Sequence, residues 1–176
     1  MSWLKRTFAN PIGQKVLVAL TGLGLVGFLV SHLIGNLTIY GGTDKIDAYA
    51  DALHEIPGFP LVEAGLLLCF ALHIALVINL TRLNRKARGA KDYQVKSSKQ
   101  EGTLGRALVS SWMGFSGLIV LIFVVVHVGD FRMARGSYDS LGVYMVELLG
   151  VGWRAGLYIV GSIFVGWHLW HAHIRG

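Results

Sequence analysis

The sequence predicts an all-α integral membrane protein, a four-helix up-and-down bundle that forms one membrane domain over residues 1–176. Of the 176 residues, 53% are hydrophobic and 15% are charged, and the mean hydropathy is +0.56, which is high for a soluble protein. All charged residues lie outside four uncharged runs: Val16 to Tyr40, Ala64 to Thr81, Ala107 to Gly129 and Ala155 to Ile174. Because about 20 helical residues cross the hydrocarbon core, we expect spans at about 15–40, 61–82, 106–130 and 153–174. This composition excludes a disordered protein, and we expect no nucleic-acid partner.

The distribution of basic residues predicts the orientation in the membrane. Twelve of the 16 Lys and Arg residues lie in the N-terminal segment, the loop after the second run and the C-terminal tail, and four lie in the other two loops. Loops rich in Lys and Arg stay on the cytoplasmic side, so we expect a cytoplasmic N-terminus. The basic loop at 82–106 could bind anionic lipid or dock a soluble partner, and its charge does not distinguish the two.

The first run is expected to be a retained span, because its 25 uncharged residues exceed the apolar core of a signal peptide. It is rich in glycine, with Gly22, Gly24, Gly27 and Gly35. This spacing is typical of close helix packing, although a flat ligand could occupy the space that the glycines leave beside the helix.

The two outer loops each contain a shorter apolar pattern. Between the first two spans, Ile46, Tyr49, Ala50 and Leu53 mark one face of a short amphipathic helix. After the third span, the apolar stretch from Leu141 to Val151 is too short to cross the membrane.

Every predicted span contains histidine, a costly side chain in a membrane and therefore a candidate site residue. The positions are His32, His73 and His127 in the first three spans, and His168, His171 and His173 in the fourth. A single histidine in a membrane span often does no more than form a hydrogen bond to a neighbouring helix. Four spans with histidines at matching depths indicate a binding function.

Helical rise gives these depths as distances from the cytoplasmic end of each run. His32 and His127 lie roughly 24 and 30 Å up, whereas His73 and His168 lie roughly 12 and 9 Å up. In an up-and-down bundle the first and third spans are one diagonal pair, and the second and fourth are the other. The separation of 41 residues from His32 to His73 also recurs from His127 to His168.

Two facing imidazoles at one depth suit an iron porphyrin held from both sides. Zinc fits less well, because each level offers two nitrogen ligands where a tetrahedral zinc site takes three or four protein ligands. Phe28 and Phe123 each lie one helical turn before an outer histidine, where they could pack on its ring or serve as ordinary core residues. His171 could replace His168 as a ligand, but His168 keeps the 41-residue spacing. His171 and His173 lie near the inner boundary, where hydrated roles such as pairing with a porphyrin carboxylate are expected.

Four stretches carry a resemblance to a known family: IGQKVLVALTGLGLVGFLVSHLIGNLTIYGG, YADAL, VEAGLLLCFALHIALVINLTRLNRKAR and GWHLWH. They resemble the cytochrome b membrane subunit of succinate:quinone oxidoreductases, in its single-chain, two-haem form that works with menaquinone. The resemblance implies two haem b groups, the outer one held by His32 and His127 and the inner one by His73 and His168. It also implies a multi-pass protein of the bacterial cytoplasmic membrane.

The resemblance further implies a complex with a flavoprotein subunit and an iron–sulfur subunit. These 176 residues contain one cysteine and no dinucleotide-binding fingerprint, so the dicarboxylate chemistry belongs to the partners. Electrons would pass from the iron–sulfur subunit through the two haems to quinone. At the outer end, the candidate proton carriers are Asp51, His54, Glu55 and Glu63, although His54 is also expected to be exposed and Glu63 could be an ordinary interfacial acid.

Other functions remain open at this point. A di-haem subunit of a hydrogenase or formate dehydrogenase also holds haems between spanning helices, and a haem-free anchor or transporter could use the histidines for proton relay or helix contacts. Members of the succinate family commonly have a fifth hydrophobic helix after the fourth ligand helix. Here a further small membrane subunit could supply it, this form could lack it, or the sequence could be truncated.

Overall fold

A computed structural model describes residues 10–88, 104–134 and 138–175, and every regular element in these ranges is helical. The six α-helices are α1 (Pro11–Leu37), α2 (Thr43–His54), α3 (Phe59–Arg88), α4 (Leu104–Val128), α5 (Leu141–Gly150) and α6 (Gly152–Arg175). A 3₁₀ turn, Thr38–Gly41, extends α1, and a π-helical turn, Gly129–Met133, extends α4. The all-α prediction is therefore confirmed for the described residues.

Local signals explain where several of these helices begin. Asn10 caps α1, because its Oδ1 accepts a hydrogen bond from the Gly13 amide at 2.6 Å, and Pro11 occupies the first helical position. Ser140 caps α5 through the amide of Val143 at 3.0 Å. The turn before α3 contains Gly58 with a φ of +84°, a conformation that favours glycine.

Within the described part of the chain, three helical segments are long and apolar enough to cross a membrane: Pro11–Gly41, Phe59–Asn84 and Met113–Met133. A fourth crossing is possible if α5 and α6 count as one span with a 99° bend between them. As expected, α5 is too short to cross alone, with only 10 residues. The structure thus has the helices of a multi-pass membrane protein.

The chain divides into two compact units, and α2 is shared between them. In the first unit, residues 10–41 and 48–88, α1 packs against α3. The Asn79 amide donates to Gln14 Oε1 at 2.8 Å, and the Cys69 thiol lies 3.5 Å from the Thr21 carbonyl. The Tyr49 ring of α2 covers Gly35 so closely that a Cβ there would collide with it. Gly35 is therefore a packing glycine, one of the two roles expected for the glycines of α1.

In the second unit, residues 42–47, 104–134 and 138–175, α4 packs against α6. The Phe123 ring lies directly over Gly161, so any side chain at that position would collide with it. The start of α2 supports α5, because Asp47 accepts hydrogen bonds from the Ser140 hydroxyl at 2.6 Å and from the Gly142 amide at 2.9 Å. The predicted amphipathic helix between the first two spans is confirmed as α2, in which Ile46 is buried.

Candidate functional site

His73 lies on α3 and packs against residues of α1. Its Nδ1 is 3.1 Å from the Thr21 hydroxyl, which itself donates to the Leu17 carbonyl at 2.8 Å. The adjacent Gly22 makes room for the ring, since a Cβ there would lie 3.3 Å from His73 Cε1, tighter than an ordinary contact. The ring therefore fits against a hydroxyl and a glycine.

His168, on α6, has the same surroundings in the second unit. Its Nδ1 is 3.1 Å from the Ser116 hydroxyl of α4, which also contacts the Met113 carbonyl at 3.1 Å. A Cβ at Gly117 would lie 3.2 Å from His168 Cε1. The second unit thus repeats the hydroxyl and glycine of the first, although its helices come from a different part of the chain.

A repeat in the sequence accounts for this likeness, and the spacing of the histidines alone does not reveal it. Residues 21–32 read TGLGLVGFLVSH and residues 116–127 read SGLIVLIFVVVH, so both begin with a hydroxyl residue and Gly-Leu, and both end in histidine. Both segments also have a phenylalanine four residues before that histidine. Aligning the sequence with itself at an offset of 95 residues would have found Thr21 and Ser116.

The hydroxyls bear on which ring nitrogen of each inner histidine would bind a metal. A hydroxyl has one hydrogen, and in both units its oxygen lies within hydrogen-bonding distance of a main-chain carbonyl of the same helix and of the histidine Nδ1. When the carbonyl accepts that hydrogen, the hydroxyl oxygen accepts from the histidine Nδ1–H. In a neutral imidazole this leaves the lone pair on Nε2, the atom through which an axial histidine binds iron.

The outer histidines contact aromatic rings of their own helices, as the sequence predicts. Phe28 stacks on His32 with ring centroids 5.2 Å apart and planes at 23°. Phe123 packs on His127 at 6.0 Å and 37°. His127 has two further ring contacts, with Phe131 at 5.2 Å and with Tyr158 at 5.8 Å. The aromatic surroundings of His127 extend well beyond the predicted phenylalanine.

The prediction of a hydrated role for His171 is wrong. The residue is only 1% exposed, and its Nε2 accepts a hydrogen bond from the indole N–H of Trp167 at 2.9 Å. Because this bond engages Nε2, the geometry supports His168 over His171 as the ligand on α6. His173 is exposed, as its predicted position near the boundary requires.

The four candidate proton carriers all belong to the first unit. Asp51, His54 and Glu55 are exposed, and His54 Nδ1 lies 2.7 Å from the Ala50 carbonyl. Glu63 is half-buried at the start of α3. Of the four, Glu63 combines partial burial with a place on a membrane-spanning helix.

Within the described ranges, no three His, Cys, Asp or Glu side chains converge as a larger metal site would require. A haem iron takes only two protein ligands, so the absence of larger groups does not test the predicted haem sites. The predicted couples, His32 with His127 and His73 with His168, stay predictions. Comparison with protein-family models, with curated proteins and with solved structures found no match to this chain.

Proposed function

We propose that the chain is the di-haem membrane subunit of a succinate:menaquinone oxidoreductase, in which it carries electrons between an iron–sulfur subunit and quinone. One observation carries the proposal: in both His73 and His168, Nδ1 lies 3.1 Å from a hydroxyl of the neighbouring helix and Cε1 lies against a glycine of that helix. Metal-binding histidines usually donate their second ring N–H to an oxygen acceptor. The same hydroxyl partner beside both rings therefore supports a ligand role for both.

The residues divide into those that hold the inner pair and those that hold the outer pair. Thr21 and Ser116 orient the inner rings, and Gly22 and Gly117 leave space for them. At the outer end, aromatic rings pack on His32 and His127 and restrict how these imidazoles turn. When bound, the two haems would supply one-electron transfer.

The quinone is proposed to react at the outer end, where Glu63 would exchange protons with it. Its support is the half-buried carboxylate near the N-terminal end of α3. A carboxylate in this position can give or take a proton beside an apolar surface. Menaquinone rather than another quinone follows from the resemblance to the family.

The test is purification of the tagged chain from its native membrane in a mild detergent. We expect a flavoprotein and an iron–sulfur subunit to copurify, together with two b-type haems per chain and succinate-dependent reduction of a menaquinone analogue. Two haems with hydrogen- or formate-oxidising partners would instead support the rival di-haem subunit. A chain that contains no haem would contradict the proposal.

A further inference from the structure

Asp130 is a buried acid three residues beyond His127, and only 6% of it is exposed. It lies in the π-helical turn Gly129–Met133, and turns of this kind are frequent at functional sites. Its carboxylate forms an ion pair with Arg154 and accepts a hydrogen bond from the Tyr158 hydroxyl at 2.9 Å. The main-chain carbonyl of Asp130 accepts a hydrogen bond from a second tyrosine hydroxyl, that of Tyr144, at 2.7 Å.

The Tyr158 ring connects this carboxylate to His127. It meets the imidazole at a centroid distance of 5.8 Å and an angle of 61°. The same ring packs edge-on against Phe123 at 5.5 Å and Phe131 at 6.0 Å, both of which also contact His127. The imidazole is therefore surrounded by three aromatic rings, and one of them is fixed at its hydroxyl end by Asp130.

The internal repeat shows that the first unit lacks this arrangement. At an offset of 95 residues, Asp130 corresponds to Gly35 and Tyr158 corresponds to Glu63. In the first unit, the Tyr49 ring packs on Gly35 instead. Simple bundle packing gives no reason for a buried ion pair beside one outer histidine when the equivalent position of the other unit is a glycine.

We propose that Tyr158 is a positioning residue for His127, and that Asp130, with its partner Arg154, holds it in place. The inference rests on the proposed role of His127 as an axial ligand of the outer haem. Asp130 holds the Tyr158 hydroxyl, so the ring keeps a fixed angle to the imidazole and limits its rotation about the bond to iron. An ion pair that only tied α4 to α6 would stabilise the helices without affecting that rotation.

Tyr158→Phe tests the proposal, because it removes the hydroxyl and keeps every ring contact. The readout is the electron paramagnetic resonance spectrum of the oxidised complex, since the largest g value of a bis-histidine ferric haem depends on the angle between the imidazole planes. We expect a shift in the outer-haem signal and no change in the inner-haem signal. Asp130→Asn should shift the same signal. Tyr138→Phe is the matched control, because that hydroxyl is bonded to Glu147 on the exposed surface of the same unit at 2.8 Å.

Unchanged g values for both haems in Tyr158→Phe would overturn the inference, and so would the loss of both haems, which indicates a general structural role. If Asp130→Asn fails to assemble, Tyr158→Phe still decides the question. The proposed function is tested separately, because a wild-type complex without haem would contradict it whatever the g values of the variants.

Discussion

Replacing Thr21 with valine tests how the inner pair is held. Valine has nearly the shape of threonine, so the substitution removes the hydroxyl that lies 3.1 Å from His73 Nδ1 and leaves the packing of α1 on α3 in place. Without that acceptor, the Nδ1–H no longer gives the imidazole partial anionic character. The ligand becomes less basic and stabilises ferric iron less, so the reduction potential of the inner haem should rise.

The strength of the lost bond limits the size of the shift. A neutral, half-buried hydrogen bond contributes about 0.5–1.5 kcal/mol net. The reduction potential changes only by the difference between the hydrogen bond's contribution in the ferric state and its contribution in the ferrous state. If the whole of the larger value were lost from the ferric state, the rise would be about 65 mV, since a tenfold change in a one-electron equilibrium corresponds to about 59 mV. We therefore expect a rise below that limit.

The assay is a redox titration of the purified complex, followed through the absorbance of each haem. Thr21→Ser keeps a hydroxyl and should titrate like the wild type. Thr81→Val is the matched control, because it removes an exposed hydroxyl that donates only to the Val77 carbonyl at 2.8 Å. Ser116→Ala, in the other unit, should raise the potential of the same haem as Thr21→Val.

Two results would refute this reasoning. If Thr21→Val and Ser116→Ala shifted different haems, His73 and His168 would not share an iron. If neither variant shifted any potential, the hydroxyls would have no part in tuning the ligands, and the likeness of the two units would be a matter of packing alone.

Three further predictions concern other parts of the molecule. Gly117→Ala should displace the His168 ring and change the inner-haem spectrum, because the new Cβ would lie 3.2 Å from Cε1; Gly114→Ala, with open space around its Cβ, should leave the spectrum unchanged. Glu63→Gln should slow quinone reduction while haem spectra and succinate oxidation by an artificial dye stay normal; unchanged quinone turnover would remove Glu63 from the proposal. Ser140→Ala should cost about 1 kcal/mol or more of stability, because it removes both the α5 cap and the hydrogen bond to Asp47, and it should lower the thermal transition without altering haem spectra; an unchanged transition would show that the two bonds together contribute little.

Hydrophobic runs predict the all-helical character of the described residues. A long helix lies at each uncharged run, because a run of that length has few alternatives to a helix, and α6 qualifies as a candidate span only together with α5. The amphipathic pattern around Ile46 predicts α2, and the position of Phe28 one turn before His32 predicts their stacking.

The surroundings of the histidines are harder to read from the sequence. A hydroxyl residue in a membrane helix can bond its own backbone or a neighbouring helix, and only the direction of the side chain shows that Thr21 does both. The burial of His171 was missed for a related reason, because distance from a span's end does not reveal which helix covers a side chain. Asp130 reads as an ordinary loop acid until the π-helical turn brings it to Arg154.

The most direct test of the account is the haem content of four single variants, His32→Leu, His73→Leu, His127→Leu and His168→Leu, measured by reduced-minus-oxidised spectra beside the wild type. The account predicts two b-type haems in the wild type. It predicts loss of one spectral component in the His32 and His127 variants, and loss of the other in the His73 and His168 variants. Loss of the same component from all four, or a wild-type protein without haem, would contradict it.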